Sequence, residues 1–101
     1  MAKNHKIFVH RNSENIHMKL VGDFDGSLAY ELLNLLKENC TAVPKIFIHT
    51  NCLRTVNSFG RQVFHKNFNH IDSQSTQLLF TGEFASQLIP ENNGLSHIIS
   101  C

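Results

Sequence analysis

The small, polar, turn-forming residues of this sequence concentrate in two short junctions, whose carboxylates, amide and hydroxyls could do chemistry. These are Gly22-Asp23-Phe24-Asp25-Gly26-Ser27 and Arg54-Thr55-Val56-Asn57-Ser58-Phe59-Gly60. Each follows an apolar, strand-like run and opens a helical pattern. At a helix start, carboxylate, amide and hydroxyl oxygens accept from the unpaired N–H groups of the first turn. The same N–H groups can seat an anion. Ser58 could therefore cap its helix, or carry a phosphate that the helix dipole would stabilise. Asp23 reads either as a charged contact for a partner or as a turn former bonding its own backbone. Asp25 reads as a cap and Asn57 as a turn residue. Phe59 is either core or an exposed aromatic anchor.

The other reactive side chains form no recognisable set. As a nucleophile, Cys52 would need a base, and His49 is the local candidate. One sits in a strand and the other in the turn beyond it, which leaves a half-buried thiol as the default. Among the seven histidines, His65 and His70 fall on different helix faces, whereas metal pairs prefer a spacing of three or four. His10 and His17 occupy solvent-facing positions of alternating strands. No metal site and no cofactor are expected. The five glycines never approach GxGxxG or the Walker pattern, and no Gly-x-Ser-x-Gly elbow occurs. Asp23 and Asp25 share a polar turn rather than an apolar site. No catalytic residue is assigned, and an enzyme is not expected.

Length and composition set the frame. The 101 residues suffice for one core and one domain, residues 1–101. The hydrophobic fraction of 42%, charged fraction of 17% and net charge of +1 describe an ordinary globular chain. The basic residues are scattered, so nucleic acid is not an expected partner. No apolar run approaches the ~20 residues of a membrane span. Three cysteines without CxxC spacing and a polar start, Met1-Ala2-Lys3-Asn4, point to a reducing cytoplasm.

The elements that must position the junctions follow from periodicity. Residues 6–10 form a short strand, 11–15 a polar hairpin loop, and 16–21 a strand alternating Ile16, Met18 and Leu20 to one side. A first helix, capped by Asp25 or Ser27, carries Leu28, Leu32 and Leu35 beside Ala29, Leu33 and Leu36, a stripe wide enough to lie flat on a sheet. Pro44 follows its end. Residues 45–49 are nearly all apolar, as in a central strand buried on both faces, with a short loop before the second junction. Ser58 is expected to cap a second helix with Phe59, Val63, Phe64, Phe68 and Ile71 as its apolar set. A loop over 72–75, a strand over 76–80, a turn at Thr81-Gly82-Glu83 and a short helix at Phe84, Leu88 and Ile89, stopped by Pro90, come next. After a polar break over 91–94, residues 95–99 suggest an edge strand. The class is therefore α/β: a mixed sheet of four to five strands, two main helices and a short third. Strand–helix–strand units run parallel, which brings both junctions to one edge of the sheet, where sites of open α/β sheets gather.

This order and these junction residues resemble the STAS family, the domain of anti-sigma-factor antagonists and of sulfate-transporter tails. Members carry a Gly-Asp-hydrophobic-Asp strand end and an Ala early in the next helix, matched here by Gly22, Asp23, Phe24, Asp25 and Ala29. Their second helix opens on Asp-Ser-Ser-Gly, which here reads Asn57-Ser58-Phe59-Gly60. The likeness runs from about Ile7 to about Ile89 and implies a SpoIIaa-like fold and a bacterial, cytoplasmic regulator that works by protein–protein interaction. In members controlled by phosphorylation the second Ser of that turn is the acceptor, and its place is taken here by Phe59, which has no hydroxyl to modify.

The resemblance implies a non-catalytic interaction module without the usual serine phosphoswitch. Asp23, Asn57, Ser58 and Phe59 are its partner-binding residues and Ser58 its candidate displaced phosphosite. An anti-sigma factor or a kinase-like regulator would be the partner, and a homodimer is left open. The alternative is a small-ligand or nucleotide-binding domain that seats an anion on the same helix N-termini.

Overall fold

A computed structural model of the chain describes residues 5–39, 43–68, 76–89 and 98–100. Two strands, β1 (His5–Arg11) and β2 (Asn15–Phe24), form the opening hairpin, antiparallel with Ile7 opposite Leu20 and His10 opposite His17. Then follow α1 (Gly26–Asn39), β3 (Lys45–Val56), α2 (Ser58–Asn67), β4 (Gln77–Thr81), the single turn α3 (Ala85–Leu88) and β5 (Ile98–Ser100). The five strands lie in sequence order, and β2, β3, β4 and β5 run parallel. The mixed α/β sheet is thus as expected, with the edge strand present as β5. Ile71, His70, Cys40, Cys101, Pro90 and the loops over 72–75 and 91–94 lie outside the described residues.

All three helices share one core on one face of the sheet. From α1 come Leu28, Ala29, Leu32, Leu33 and Leu36, from α2 Val63 and Phe64, and from α3 Ala85 and Leu88. They meet Ile16, Met18 and Leu20 of β2, Ile46 and Ile48 of β3, and Leu78 and Phe80 of β4. The period of two puts each strand's apolar set on that face. Phe64 is the hub, edge-on to Phe24 at 6.0 Å and to Phe80 at 6.2 Å. Burying a side chain of this kind contributes about 1.5–3 kcal/mol.

Two expectations about β3 are corrected. It is not covered on both faces: Ile46, Ile48 and Thr50 are buried, while Phe47 and His49 are half-buried on a face that no described helix covers. Phe47 is shielded sideways instead, by the His17 ring stacked on it at 4.6 Å. Nor does the strand stop before a loop. It continues through residues 51–56 with two shifts of register against β2, one between Lys19 and Val21 and one between Gly22 and Asp23. Each shift is a bulge, an extra residue on β3 that breaks the alternation by which a strand is recognised. Gly22, between the shifts, has φ of 97°, a conformation glycine adopts without a Cβ penalty.

Candidate functional site

The carboxyl ends of β2, β3 and β4 form a rim, and three turns meet there. The Phe24 carbonyl at the end of β2 accepts from the Asn57 backbone N–H beyond β3, at 2.9 Å, which joins the two junctions. At the third turn the buried Thr50 hydroxyl donates to the Thr81 carbonyl at 2.7 Å and accepts from the Phe84 N–H at 3.2 Å. Gly82, with φ of 98°, sits so close to β3 that a Cβ there would lie 2.7 Å from the Asn51 nitrogen. The rim is therefore held by backbone and by buried hydroxyl bonds.

The caps are specific. The Asp25 carboxylate accepts from the Leu28 N–H at 2.9 Å and caps α1. The Asn57 side-chain oxygen accepts from the Phe59 N–H at 2.7 Å and caps α2. Asn57, and not Ser58, is the cap: the chain enters α2 with Asn57 extended, and Ser58 is the first helical residue, exposed. An anion seat on α2 would have to compete with this amide for the Phe59 N–H. The His5 ring lies beside Asp25, its Nε2 3.6 Å from the carboxylate.

The Asp23 side chain bonds β3 rather than its own backbone. Its carboxylate accepts from Arg54 Nε at 3.1 Å, Arg54 Nη2 at 2.8 Å and the Thr55 hydroxyl at 2.8 Å. The second bulge makes this geometry, because two consecutive β3 side chains then meet one β2 residue. The Arg54 bond first, and then the Thr55 bond, hold the Asp23 carboxyl below its ordinary range, and the carboxylate raises Arg54 in turn.

Phe59 is an exposed residue, 61% accessible, and so no part of the core. It projects from α2 over Gly26, where a Cβ would come within 2.8 Å of the Phe59 ring. Gly60 explains how α2 comes so close: a Cβ on it would lie 2.5 Å from the Phe24 carbonyl oxygen and 2.7 Å from the Asp25 carbonyl carbon. Tyr30 of α1 is 54% accessible, and together with Phe59, Val63 and Lys66 it lines a hollow of about 300 Å³ between the two helices. Two aromatic rings, the side chain of Val63, the cation of Lys66 and the amides of Gln62 and Asn67 give the hollow both apolar and polar contacts for a partner's side chain. Asp23, Asn57, Ser58 and Phe59 all lie at the rim as expected, with Tyr30, Arg54 and Thr55 beside them. Nothing in the sequence spacing marked Tyr30, which reaches the site only through the packing of α1 against α2.

His49 is drawn away from Cys52. Its Nε2 faces His17 Nδ1 at 2.9 Å and its Nδ1 faces the Thr81 hydroxyl at 2.7 Å, so both ring nitrogens are engaged and no Cys–His pair forms. The His17 and His49 planes are parallel within 1° at a centroid separation of 5.2 Å. With nitrogens 2.9 Å apart, that places the rings edge to edge, sharing one proton between them. Burial chiefly, and then the charges of His17 and Lys19, push His49 below its usual value. Parallel register aligns His17 with Phe47, two residues before His49. Pairing the two strands in sequence would have revealed the contact.

No family model and no curated protein sequence matches the chain. Solved structures do. The unphosphorylated anti-sigma factor antagonist SpoIIAA superposes with a TM-score of 0.58 at 13% identity, over 75% of this chain and 72% of that one. A DUF3478-family protein with a SpoIIAA-like fold, from Shewanella loihica PV-4, superposes with a TM-score of 0.57 at 16% identity, over 82% of this chain and 72% of that one. The chain has the SpoIIAA-like fold. A third structure, Mglu, matches with a TM-score of 0.62 at 15% identity, and there the chain spans only 18% of the other protein's length. The SpoIIAA-like fold bears out the STAS-like architecture, and at these identities the likeness is one of fold. No helix among the described residues is long and apolar enough to cross a membrane.

Proposed function

We propose that the chain is a non-catalytic regulatory module of the cytoplasm that docks a protein partner on its rim, with Phe59 as the anchor. The exposed Phe59 ring carries the proposal. An aromatic that is 61% accessible, on a helix fixed by Gly60 against the neighbouring turn, is presented to a partner at little further ordering cost. Tyr30 and the hollow beside it extend the surface, and Asp23, Asn57 and Ser58 form its polar edge. SpoIIAA, which shares the fold, is an anti-sigma factor antagonist, so an anti-sigma factor or a kinase-like regulator is the class of partner proposed. Phe59 also removes the hydroxyl that would switch such a module, so that docking here is not gated by phosphate at that position.

The test is Phe59→Ala. Truncating an exposed side chain should leave the unfolding free energy in urea within about 0.5 kcal/mol of the parent. A partner recovered on immobilised parent protein and then titrated calorimetrically should bind the variant more weakly by about 2 kcal/mol, roughly thirtyfold. Equal binding by the variant refutes the anchor. So does a loss of stability on the scale of a core aromatic, about 3–5 kcal/mol.

A further inference from the structure

We propose that the open face of the sheet is a second docking surface, remote in kind from the rim, and that its partner is an acidic protein segment. The described helices cover one face only. The other presents Lys6 from β1, Lys19 from β2 and Lys45 from β3, all exposed, with His10, His17 and His49 among them. Residues 6–10, 16–21, 45–50 and 77–81, which build that face in β1–β4, contain no Asp or Glu. The carboxylate nearest in these strands, Asp23 at the rim end, is already paired with Arg54. A chain of net charge +1 has thus gathered three lysines on one sheet face whose described strand residues bring no carboxylate to meet them. Complementary charge is what such a surface selects for.

The ring contacts decide which acidic macromolecule fits. Phe8 is 49% accessible, but Lys6 Nζ stands 5.0 Å from its ring centroid and Lys19 Nζ 6.0 Å. Phe47 has His17 stacked on it at 4.6 Å. Single-stranded nucleic acid needs a run of aromatic faces on which successive bases stack, and this face offers Phe8 alone as an exposed ring among the described residues, Phe47 being half-buried under His17. Firm binding to an anionic bilayer adds buried apolar area to charge attraction, and Phe8 is the exposed large apolar residue of this face among the described ones. Two ammonium groups flanking a single phenyl ring match carboxylates on either side of one apolar side chain, an arrangement that an extended Glu- or Asp-rich peptide supplies.

The experiment is an NMR titration of the isotope-labelled full chain with a synthetic Glu-Glu-Leu repeat peptide, at low and at high salt. Saturable shifts are expected at Phe8, Lys19 and Phe47, with affinity falling as salt screens the pairs. Lys6→Glu combined with Lys19→Glu should weaken binding at least about tenfold at low salt. Arg61→Glu, one charge reversal on the helical side, should leave it unchanged. Lys6→Gln with Lys19→Gln should show an intermediate loss and a parent-like spectrum, which separates lost docking from lost folding. The proposal is overturned if the shifts map to the helical side, if none saturates, or if oligothymidylate or phosphatidylserine vesicles bind this face more tightly than the peptide.

Discussion

Gly60→Ala is the most direct test of how the rim is built. A methyl group on Gly60 would sit 2.5–2.8 Å from the Phe24 carbonyl oxygen and from the Asp25 carbonyl carbon and oxygen, all of them backbone. To reach ordinary contact at about 3.4 Å, α2 must retreat by roughly 0.6–0.9 Å. Overpacking of this kind costs about 1–3 kcal/mol. The same Phe24 oxygen accepts the Asn57 N–H at 2.9 Å, a bond worth about 0.5–1.5 kcal/mol that the retreat would stretch. Against this stands the gain of Ala over Gly in a helix, up to about 1 kcal/mol. The net expectation is a loss of about 2 kcal/mol. Far-UV circular dichroism in urea should then show a midpoint lower by about 1 M, for a slope of about 1–3 kcal/mol/M. Gly26→Ala is the control, since its methyl group would meet the far edge of the exposed Phe59 ring, which can swing aside. Its unfolding free energy should stay within about 0.5 kcal/mol of the parent. A Gly60→Ala midpoint at or above the parent would refute the close seating of α2 on the β2–α1 turn.

Two further outcomes are expected. Incubation with a serine kinase of the partner-switching kind, followed by mass spectrometry, should find no stoichiometric phosphate on Ser58, and robust labelling there would show the acceptor displaced by one residue. For His49, the folded chain favours the neutral ring, so below about pH 6.5 the unfolded chain binds more protons. Its contribution to stability is complete above that pH and is lost as pH falls through the depressed folded value. Urea midpoints should decline with acid more steeply in the parent than in His49→Asn, and a ring resonance of His49 titrating above the ordinary histidine value would contradict the assignment.

Legibility in the sequence followed from how local each signal is. The leucines of α1 recur on one helical stripe, Ile16, Met18 and Leu20 alternate, and crossover-length connections enforce parallel strands, so element order and sheet sense could be read directly. Residues 51–56 could not, because two bulges destroy the period of two. The cap of α2 was misplaced by one residue, Ser58 for Asn57, since both side chains are good caps and only the backbone at the helix entry distinguishes them. Whether Phe59 faced in or out depended on Gly60 drawing the helix inward, which is a tertiary fact. The same holds for Tyr30, whereas the His17–His49 bond, between residues 32 apart in sequence, becomes legible once β2 is paired with β3 in parallel register. Asp23, Asn57, Ser58 and Phe59 were legible as members of one rim. Their internal bonds were not.

The bulges of β3 also give the strand spare length. From Lys19 to Phe24, β2 spans the stretch that β3 covers from His49 to Val56, so β3 holds two residues more than straight pairing requires. Shortening β3 by one within that stretch would remove a bulge, leaving Ile46 and Ile48 in the core and α2 at its station. The visible loss would be local, since Arg54 and Thr55 would no longer both reach Asp23. Shortening β2 by one has no such reserve, and it would turn every residue beyond the cut onto the opposite face. Two paired strands of one sheet thus differ in how they accept a change of length: β3 yields at the rim, and β2 passes the error on to the core.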